Sequence, residues 1–414
     1  MKKKFITLII AGMMTLSLAG CGNDIIVDVV KNDSDVVVNE NPSPSDKQET
    51  SHTTPTVQTV AEVNPAGMPT IAKEDIKIGV LYIGGEEDTS GYTYAHEIGI
   101  QGMISNIGLS EGQVIRKNYI DDTDDKAIRE ALDECIKEDG CNVIIGTSWG
   151  YMEYFAEYAD AYPDIYFAHG TGYLSNGKNF TNYFGRIYQA RYLSGLVAGL
   201  KTKSNKIGYV SAQGIGNSEC TGGVDAFAIG VEEVNPDATV YVAVTNSWFD
   251  PEKEQAASDY LIGIGCDVLA QHVDTTAPQT ASEANGTWSI GYNSDMSKET
   301  PNATLTSVIW NWSAYYTAYV AGIINATYDG SDFYGGMDES LVSLTSLSSL
   351  CEDGTSEIVN EKMQEIISGK FGVFDGVLET NKGEFIGEEG KTLDDATITG
   401  GIDWYYKNVM EVDW

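Results

Sequence analysis

Two short stretches of the 414-residue chain occur twice. KIGVLY, Lys77 to Tyr82, returns as KIGYVS, Lys206 to Ser211; GCNVII, Gly140 to Ile145, returns as GCDVLA, Gly265 to Ala270. Self-similarity on this scale implies two similar lobes. Within the first copy, segments of strand and helix character alternate: IKIGVLYI, HEIGIQGMISNIG, VIRKNYI, AIREALDECIKED, CNVIIGTS, YFAEYADAY and DIYFAHG. The second copy has strands KIGYVSA, TVYVAVTN, CDVLAQHV and TWSIGYN, with helices predicted near Gly222 to Val234 and Pro251 to Ile264. Strands that alternate with helices pair in parallel and are covered on both faces. The expected fold is therefore α/β, with two doubly wound parallel-sheet lobes.

In open α/β sheets ligands bind beyond the carboxyl ends of the strands. In lobe 1 those ends are Gly84 to Tyr94, Asp121 and Asp122, Thr147 to Tyr151, and His169 to Thr171; in lobe 2 they are Gln213 to Asn217, Trp248 to Asp250, Gln271 to Asp274, and Tyr292 to Asp295. The candidate ligand-binding residues drawn from them are Tyr92, Tyr94, Trp149, Tyr151, Trp248, Asp250, His272, Asp274, Asn293 and Asp295. Lysine and arginine are missing from this set, whereas an anionic ligand recruits cations or a Gly-rich helix start. A neutral or cationic ligand is expected, with a flat ring or sugar face against the aromatics and N–H or O–H groups on the carboxylates and amides. Trp248 carries most weight, because TVYVAVTNSWFDPEK places a large indole where a strand gives way to a loop.

Blander roles compete at several positions. Trp149 and Tyr151 can cap the layer between sheet and helix, His169 can satisfy a neighbouring backbone group, and Asp295 can cap a turn. His272 and Asp274 share one face of an extended segment, as metal ligands can, but no third ligand stands near them in sequence. His96-Glu97 at a helix start suits an acid/base pair or a solvated first turn. The chain has no GxSxG, HExxH or GxxxxGK[ST] motif, and no GxGxxG after a strand. Binding without catalysis, and without metal or cofactor, is the expectation; a nucleoside hydrolase would need a positioned water and a general base.

The formal charge of -36, from 61 acidic and 25 basic residues, argues against nucleic acid as a partner. MKKKFITLIIAGMMTLSLAGCGND opens with lysines and an apolar run of signal-peptide length, then Leu18-Ala19-Gly20-Cys21, which resembles a bacterial lipobox. Residues 1–20 are read as a lipoprotein signal peptide and Cys21 as the lipidated residue, anchoring the protein on the outer side of the cell membrane. Residues 21–73, rich in Asp, Asn, Ser, Thr, Pro and Val, read as a solvated tether without a core. The other five cysteines, at 135, 141, 220, 266 and 351, do not form a disulfide framework or a CxxC metal set.

The lipobox and tether, IGYVS, the run VNPDATVYVAVTNSWFDPEKEQAASDYLIGIGCDVLAQHVDTTAP, and IGYNSDM together resemble the basic membrane protein family of ABC-transporter substrate-binding lipoproteins. That family includes the purine nucleoside receptors of the type I periplasmic-binding fold, and the resemblance runs from about Lys77 to the C-terminus. DTSGYTYAHEIG, TSWGYME and NSWFDP are closest to the branch associated with adenine-type ligands. The resemblance implies that Trp248 stacks on a ring, Tyr92 supplies an aromatic after the first strand, and Asn293 makes a polar contact. It also implies a three-crossing hinge, with lobe 1 at 74–185 plus about 309–345 and lobe 2 at 186–308 plus about 346–414. Its implied partners are an ABC permease and an ATPase. The chain departs from the nucleoside receptors at Asn293, where they carry an acid for the sugar hydroxyls, at DTSGYTYAHE, and near SVIWNW, where they carry a lysine. These departures favour base over ribose recognition. A sensory lipoprotein that binds a flat heterocycle or sugar shares all of these features.

Overall fold

The computed structural model describes residues 62–414. The apolar leader, Cys21 and the tether as far as residue 61 lie outside the described residues. The first half runs β1 (Ile78–Leu81), α1 (Gly91–Ile107), β2 (Val114–Lys117), α2 (Asp125–Asp133), β3 (Val143–Gly146), α3 (Met152–Ala161), β4 (Tyr166–Gly170) and β5 (Phe180–Gly185). There follow α4 (Ile187–Lys201), β6 (Lys206–Ser211), α5 (Ser218–Val234), β7 (Thr239–Val244), α6 (Pro251–Gly263), β8 (Val268–His272), α7 (Ala277–Asn285), β9 (Trp288–Asn293) and β10 (Thr304–Trp310). The remainder is α8 (Trp312–Ile324), β11 (Phe333–Gly335), β12 (Val342–Leu344), α9 (Thr355–Ile367), a hairpin of β13 (Asp375–Glu379) and β14 (Phe385–Thr392), α10 (Asp395–Gly400) and β15 (Val409–Glu411).

These strands make two large sheets, ordered β11-β5-β4-β3-β1-β2 and β12-β10-β9-β8-β6-β7-β15. All neighbours are parallel except β12, which runs antiparallel to β10. The sequence repeats occupy equivalent places. Ile78 pairs with Val114 and Val143, and Ile207 pairs with Val240 and Val268. The central strands β1, β3, β4 and β8 are buried on both faces because each face meets helices. Val143 and Ile145 enter the core cluster shared by the lobes, while Ile144 between them enters a second cluster with Phe155 and Phe167. In lobe 2, Val268 and Ala270 join the shared cluster and Leu269 a third one.

The chain crosses between sheets three times: from β5 to α4, from β10 to α8, and from β11 to β12. α4 packs on α5 of lobe 2, and α8 packs on α1 of lobe 1. The α4–α5 contact is backbone against backbone: a Cβ on Gly195 would lie 2.1 Å from Phe227 O, and one on Gly230 2.1 Å from Tyr192 O. Aromatic rings fill the crossings. Phe184 lies 5.1 Å from Trp310, Trp310 stacks on Trp312 at 4.5 Å, and Trp312 stacks on His96 at 4.6 Å between centroids.

One expectation is corrected at the start of the described chain. The segment 62–73 was read as solvated tether, but Met68 is fully buried in the shared core and Val63 bridges Pro69. Asn64 Nδ2 donates to Tyr166 Oη at 2.6 Å, and Tyr166 in turn donates to Pro69 O at 2.7 Å. The apolar residues of VNPAGMPTIA have no helical or strand period, yet Met68, with Ala66 and Ile71 packed beside it, docks the strap.

Candidate functional site between the lobes

The loop after β8 is held from three directions. Gln271 Nε2 donates to Val273 O at 2.7 Å and Thr275 O at 2.9 Å; Asp274 N donates to Trp248 O at 2.9 Å; Thr275 Oγ1 donates to Glu254 Oε2 at 2.5 Å. These bonds fix Asp274 and Trp248 together beyond the ends of β8 and β7, the two strands that flank β6. Asn293, at the end of β9, donates from Nδ2 to Asp274 Oδ1 at 2.8 Å. Its backbone is left-handed at φ 65°, a conformation uncommon outside glycine that is tolerated where surrounding bonds over-determine it. Asn293 Oδ1 is buried and has no protein partner among the described residues. Such an acceptor calls for an N–H or O–H donor.

Lobe 1 meets this surface through the start of α1. Gly91, at φ +82°, approaches so closely that a Cβ on it would lie 2.7 Å from Asp274 O. The next residue, Tyr92, donates its hydroxyl to Thr147 O at the end of β3 and sets its ring edge-on to His96 at 4.4 Å. Burial raises the Tyr92 phenol well above its ordinary value, helped by Tyr183 and then by Glu219, Tyr292 and Asp274 of lobe 2. Gly91 and Tyr92 thus bring the start of α1 against the Asp274 loop of lobe 2.

The electrostatics of the floor are set by burial. Burial first, then Glu254 and Glu219, raise Asp274 to about 8, against the Asn293 hydrogen bond and Arg191, which pull it down. A protonated Asp274 is a donor as well as an acceptor. His272 is fully buried, edge-on to Trp248 at 5.6 Å and to Tyr292 at 5.0 Å. Burial and Arg191 lower it to about 4. At neutral pH its Nε2, 3.4 Å from Glu219 Oε1, makes a polar approach rather than an ion pair.

Arg191 is the residue that motif reading missed. It is 1% exposed on α4, donates from Nη1 to Gln271 O at 2.5 Å, and lies 4.0 Å from the Tyr292 ring centroid. The cleft was expected to lack cations near its strand ends; a buried guanidinium stands behind them instead. The signal was present as the one arginine inside α4, IYQARYLSGLVAGLK, a helix mostly apolar on its buried face. Glu219, in the first turn of α5, and Glu254 on α6 were missed for a different reason, since helix starts favour acids whatever their role.

Other candidates fall elsewhere. Tyr151 is fully buried, stacked on Phe155, with its hydroxyl on Ile120 O at 2.7 Å; it is core packing rather than a cleft wall. Asp295 is exposed and accepts from Ser297 N at 3.1 Å and Ser297 Oγ at 2.6 Å, closing its own turn. Asp250 caps α6 by accepting from Lys253 N at 3.1 Å. Trp149 is 56% exposed, and Tyr94 is half-buried on α1. His169 bonds Leu174 O at 3.0 Å. His96 and Glu97 are not a solvated helix start: His96 Nδ1 meets Tyr316 Oη at 2.7 Å, and Glu97 accepts from Arg116 Nε at 2.9 Å, Arg116 Nη2 at 2.8 Å and Tyr82 Oη at 2.8 Å. A separate concavity of about 690 Å³, lined by Gln213, Gly214, Asn217, Asn246 and Trp414 among others, lies on lobe 2 alone and contains none of the paired cleft residues.

Two parallel-sheet lobes that meet over a buried aromatic and carboxamide floor, with three chain crossings between them, define a two-lobed ligand-binding protein. The model of the Bmp family, described as ABC transporter substrate-binding protein PnrA-like, matches residues 76–375, and the chain belongs to that family. A purine-binding protein of Brucella abortus is 31% identical over 329 residues, covering 80% of this chain and 91% of the relative. A candidate ABC transporter glucose-binding protein of Haloferax volcanii is also 31% identical, over 317 residues, 76% of this chain and 78% of the relative. In fold, the chain is similar to an ABC transporter solute-binding protein of Conexibacter woesei, with a TM-score of 0.59, 18% identity, and coverage of 72% of this chain and 98% of that one. These relatives are binding proteins, and substrate-binding proteins of ABC importers work on the extracytoplasmic side. No helix among the described residues is long and apolar enough to cross a membrane.

Proposed function

We propose that this substrate-binding protein captures a purine base or nucleoside, adenine-like in preference, between Tyr92 and Trp248, and delivers it to an ABC permease driven by an ATPase. The observation that carries the reading is the buried, unpartnered Oδ1 of Asn293, whose Nδ2 holds Asp274, the residue on which the Trp248 backbone and Gly91, next to Tyr92, converge from the two lobes. An exocyclic amine or ring N–H satisfies that acceptor, and a planar base fills the space between rings. Ligand contact with both lobes favours the closed form by differential affinity, and the closed form is what a permease reads. Lipidation of Cys21 keeps the protein at the membrane.

The purine-binding relative supports this reading, and the glucose-binding candidate sets the alternative, since hexose hydroxyls also suit aromatic faces and carboxylates. Calorimetric titration of the full chain with adenine, adenosine, hypoxanthine, guanosine and glucose separates them. Saturable binding of adenine or adenosine without chemical conversion supports the proposal. Binding of glucose alone overturns the purine assignment, and conversion of a nucleoside overturns the non-catalytic one.

A further inference from the structure

A pair of cysteines in lobe 1 takes no part in the cleft. After α2 the chain continues as a π-helical turn, Glu134–Glu138, in which Asp139 N donates to Glu134 O at 2.9 Å. Cys141 N then donates to Cys135 O at 2.8 Å, so that ECIKEDGC coils back on itself. Cys135 is fully buried and Cys141 is 3% exposed, in the same core cluster, and each is the largest single influence on the other's acidity. Gly79 on β1 makes the room, since a Cβ there would lie 2.7 Å from Cys135 Sγ. Two lysines pack around the turn: Lys117 Nζ pairs with Glu134 at 2.8 Å and Asp139 at 3.0 Å, and Lys77 Nζ donates to Asp139 O at 2.6 Å.

The second sequence copy is an internal control. Cys266 in GCDVLA matches Cys141, but the residue whose carbonyl accepts from Cys266 N, and which packs on Gly208 as Cys135 packs on Gly79, is Leu261. Cys266 therefore lacks the neighbour that Cys141 has.

We propose that Cys135 and Cys141 form an intramolecular disulfide, a redox modification site that clasps the end of α2 to the start of β3. The setting is extracytoplasmic, where disulfides persist. The oxidant is an external disulfide of the small-molecule or dithiol-protein class. The Cys135 thiol, ahead of the charges of Lys77 and Lys117, lowers the pKa of Cys141, and Cys141 is also the less deeply buried of the two, which makes it the attacking thiol. Its thiolate attacks one sulfur of the external disulfide, forming a mixed disulfide and expelling one thiolate. Cys135 gives up its proton and attacks Cys141 Sγ, expelling the second thiolate. The protein pair loses two electrons and two protons, and the external disulfide becomes two thiols.

The test uses the full chain in mixtures of oxidised and reduced glutathione, approached from the folded reduced protein and by refolding from urea so that burial does not limit access. Free thiols are then alkylated and the cysteine peptides mapped. The expected result is a Cys135–Cys141 linkage, with Cys266 alkylated, at a glutathione ratio about tenfold more reducing than the same chain needs in urea. Recovery of both residues as thiols, or a linkage no easier in the folded than in the denatured chain, overturns the proposal. Cys135→Ser should trap glutathione on Cys141 during refolding; absence of that adduct overturns the assignment of Cys141 as the attacking thiol.

Discussion

The amide of Asn293 donates to Asp274 at 2.8 Å, tying the end of β9 to the loop after β8. The bond uses one of the amide's two N–H donors, while its buried oxygen has no partner among the described residues and φ 65° holds the backbone in the left-handed region. Asn293→Gly separates the two effects. Glycine accepts this φ without a Cβ penalty, so the unliganded protein should lose only the bond to Asp274, about 1 kcal/mol, while purine affinity falls about 5 to 150-fold from the loss of a ligand bond worth roughly 1–3 kcal/mol. Asn293→Ala should lose comparable affinity and, in addition, about 1 kcal/mol of stability. Wild-type affinity in the glycine variant, by calorimetry, would remove Asn293 from the site.

Asp274 sets a pH dependence. Its folded value of about 8 lies above the ordinary 3.8, so from about pH 4 to pH 8 the folded state holds a proton the unfolded state has released, and stability falls as pH rises. His272, depressed from 6.5 to about 4, acts oppositely, with stability gained as pH rises from about 4 to 6.5 and then level. The window from 6.5 to 8 is therefore where Asp274 titrates without opposition from His272. We expect the wild-type melting temperature to decline across it and Asp274→Asn to flatten that decline. An equal decline in both proteins would place the titration elsewhere.

Gly91 is a clearance between lobes. Alanine there meets Asp274 O at 2.7 Å and is strained at φ +82°. Gly91→Ala should wedge the lobes apart, weaken the ligand by tenfold or more, and abolish ligand-induced compaction in small-angle scattering. Compaction equal to wild type would mean that the lobes close by another path.

Trp248 is half-buried against the third core cluster, so its truncation should register in both assays but unequally. Base stacking of roughly 1–3 kcal/mol predicts a loss of about 5 to 150-fold in purine affinity for Trp248→Ala. The apo melting temperature should drop by less than the 3–5 kcal/mol cost of a core tryptophan implies. A large stability loss with unchanged affinity would make the indole packing alone.

Cys21 is tested by fractionation. Cys21→Ala should release the protein from membranes in detergent-free buffer, because one or two acyl chains supply the binding. Retention equal to wild type would refute lipidation.

The eight strands of the two copies, β1 to β4 and β6 to β9, were legible because repeats and double-sided apolar runs are local signals; β5, β10 and the later strands lie outside the repeats. Legible too was the assembly of Tyr92, Trp248, His272, Asp274 and Asn293 at strand ends, since parallel topology puts all such ends on one edge. What the sequence hid depends on distant covering elements. Trp312 and Tyr316, more than 200 residues further on, bury His96, which by itself looked like an exposed helix start. Tyr151 and Trp149 are two residues apart with the same expected role, yet one faces Phe155 and the other solvent. Arg191 is silent in motif terms because its partner is a backbone carbonyl at Gln271.

The three crossings also carry a kinetic consequence. β11 completes the sheet of lobe 1 and α8 covers α1, but both come after every strand of lobe 2 up to β10. Lobe 1 has an unpaired β5 edge and a bare α1 face until residues beyond 310 have been made and returned. Such non-local closure slows folding and prolongs exposure of apolar surface. A chain of this design is best exported before it collapses, and a fragment cut after β5 would be a sticky sheet rather than a half-receptor.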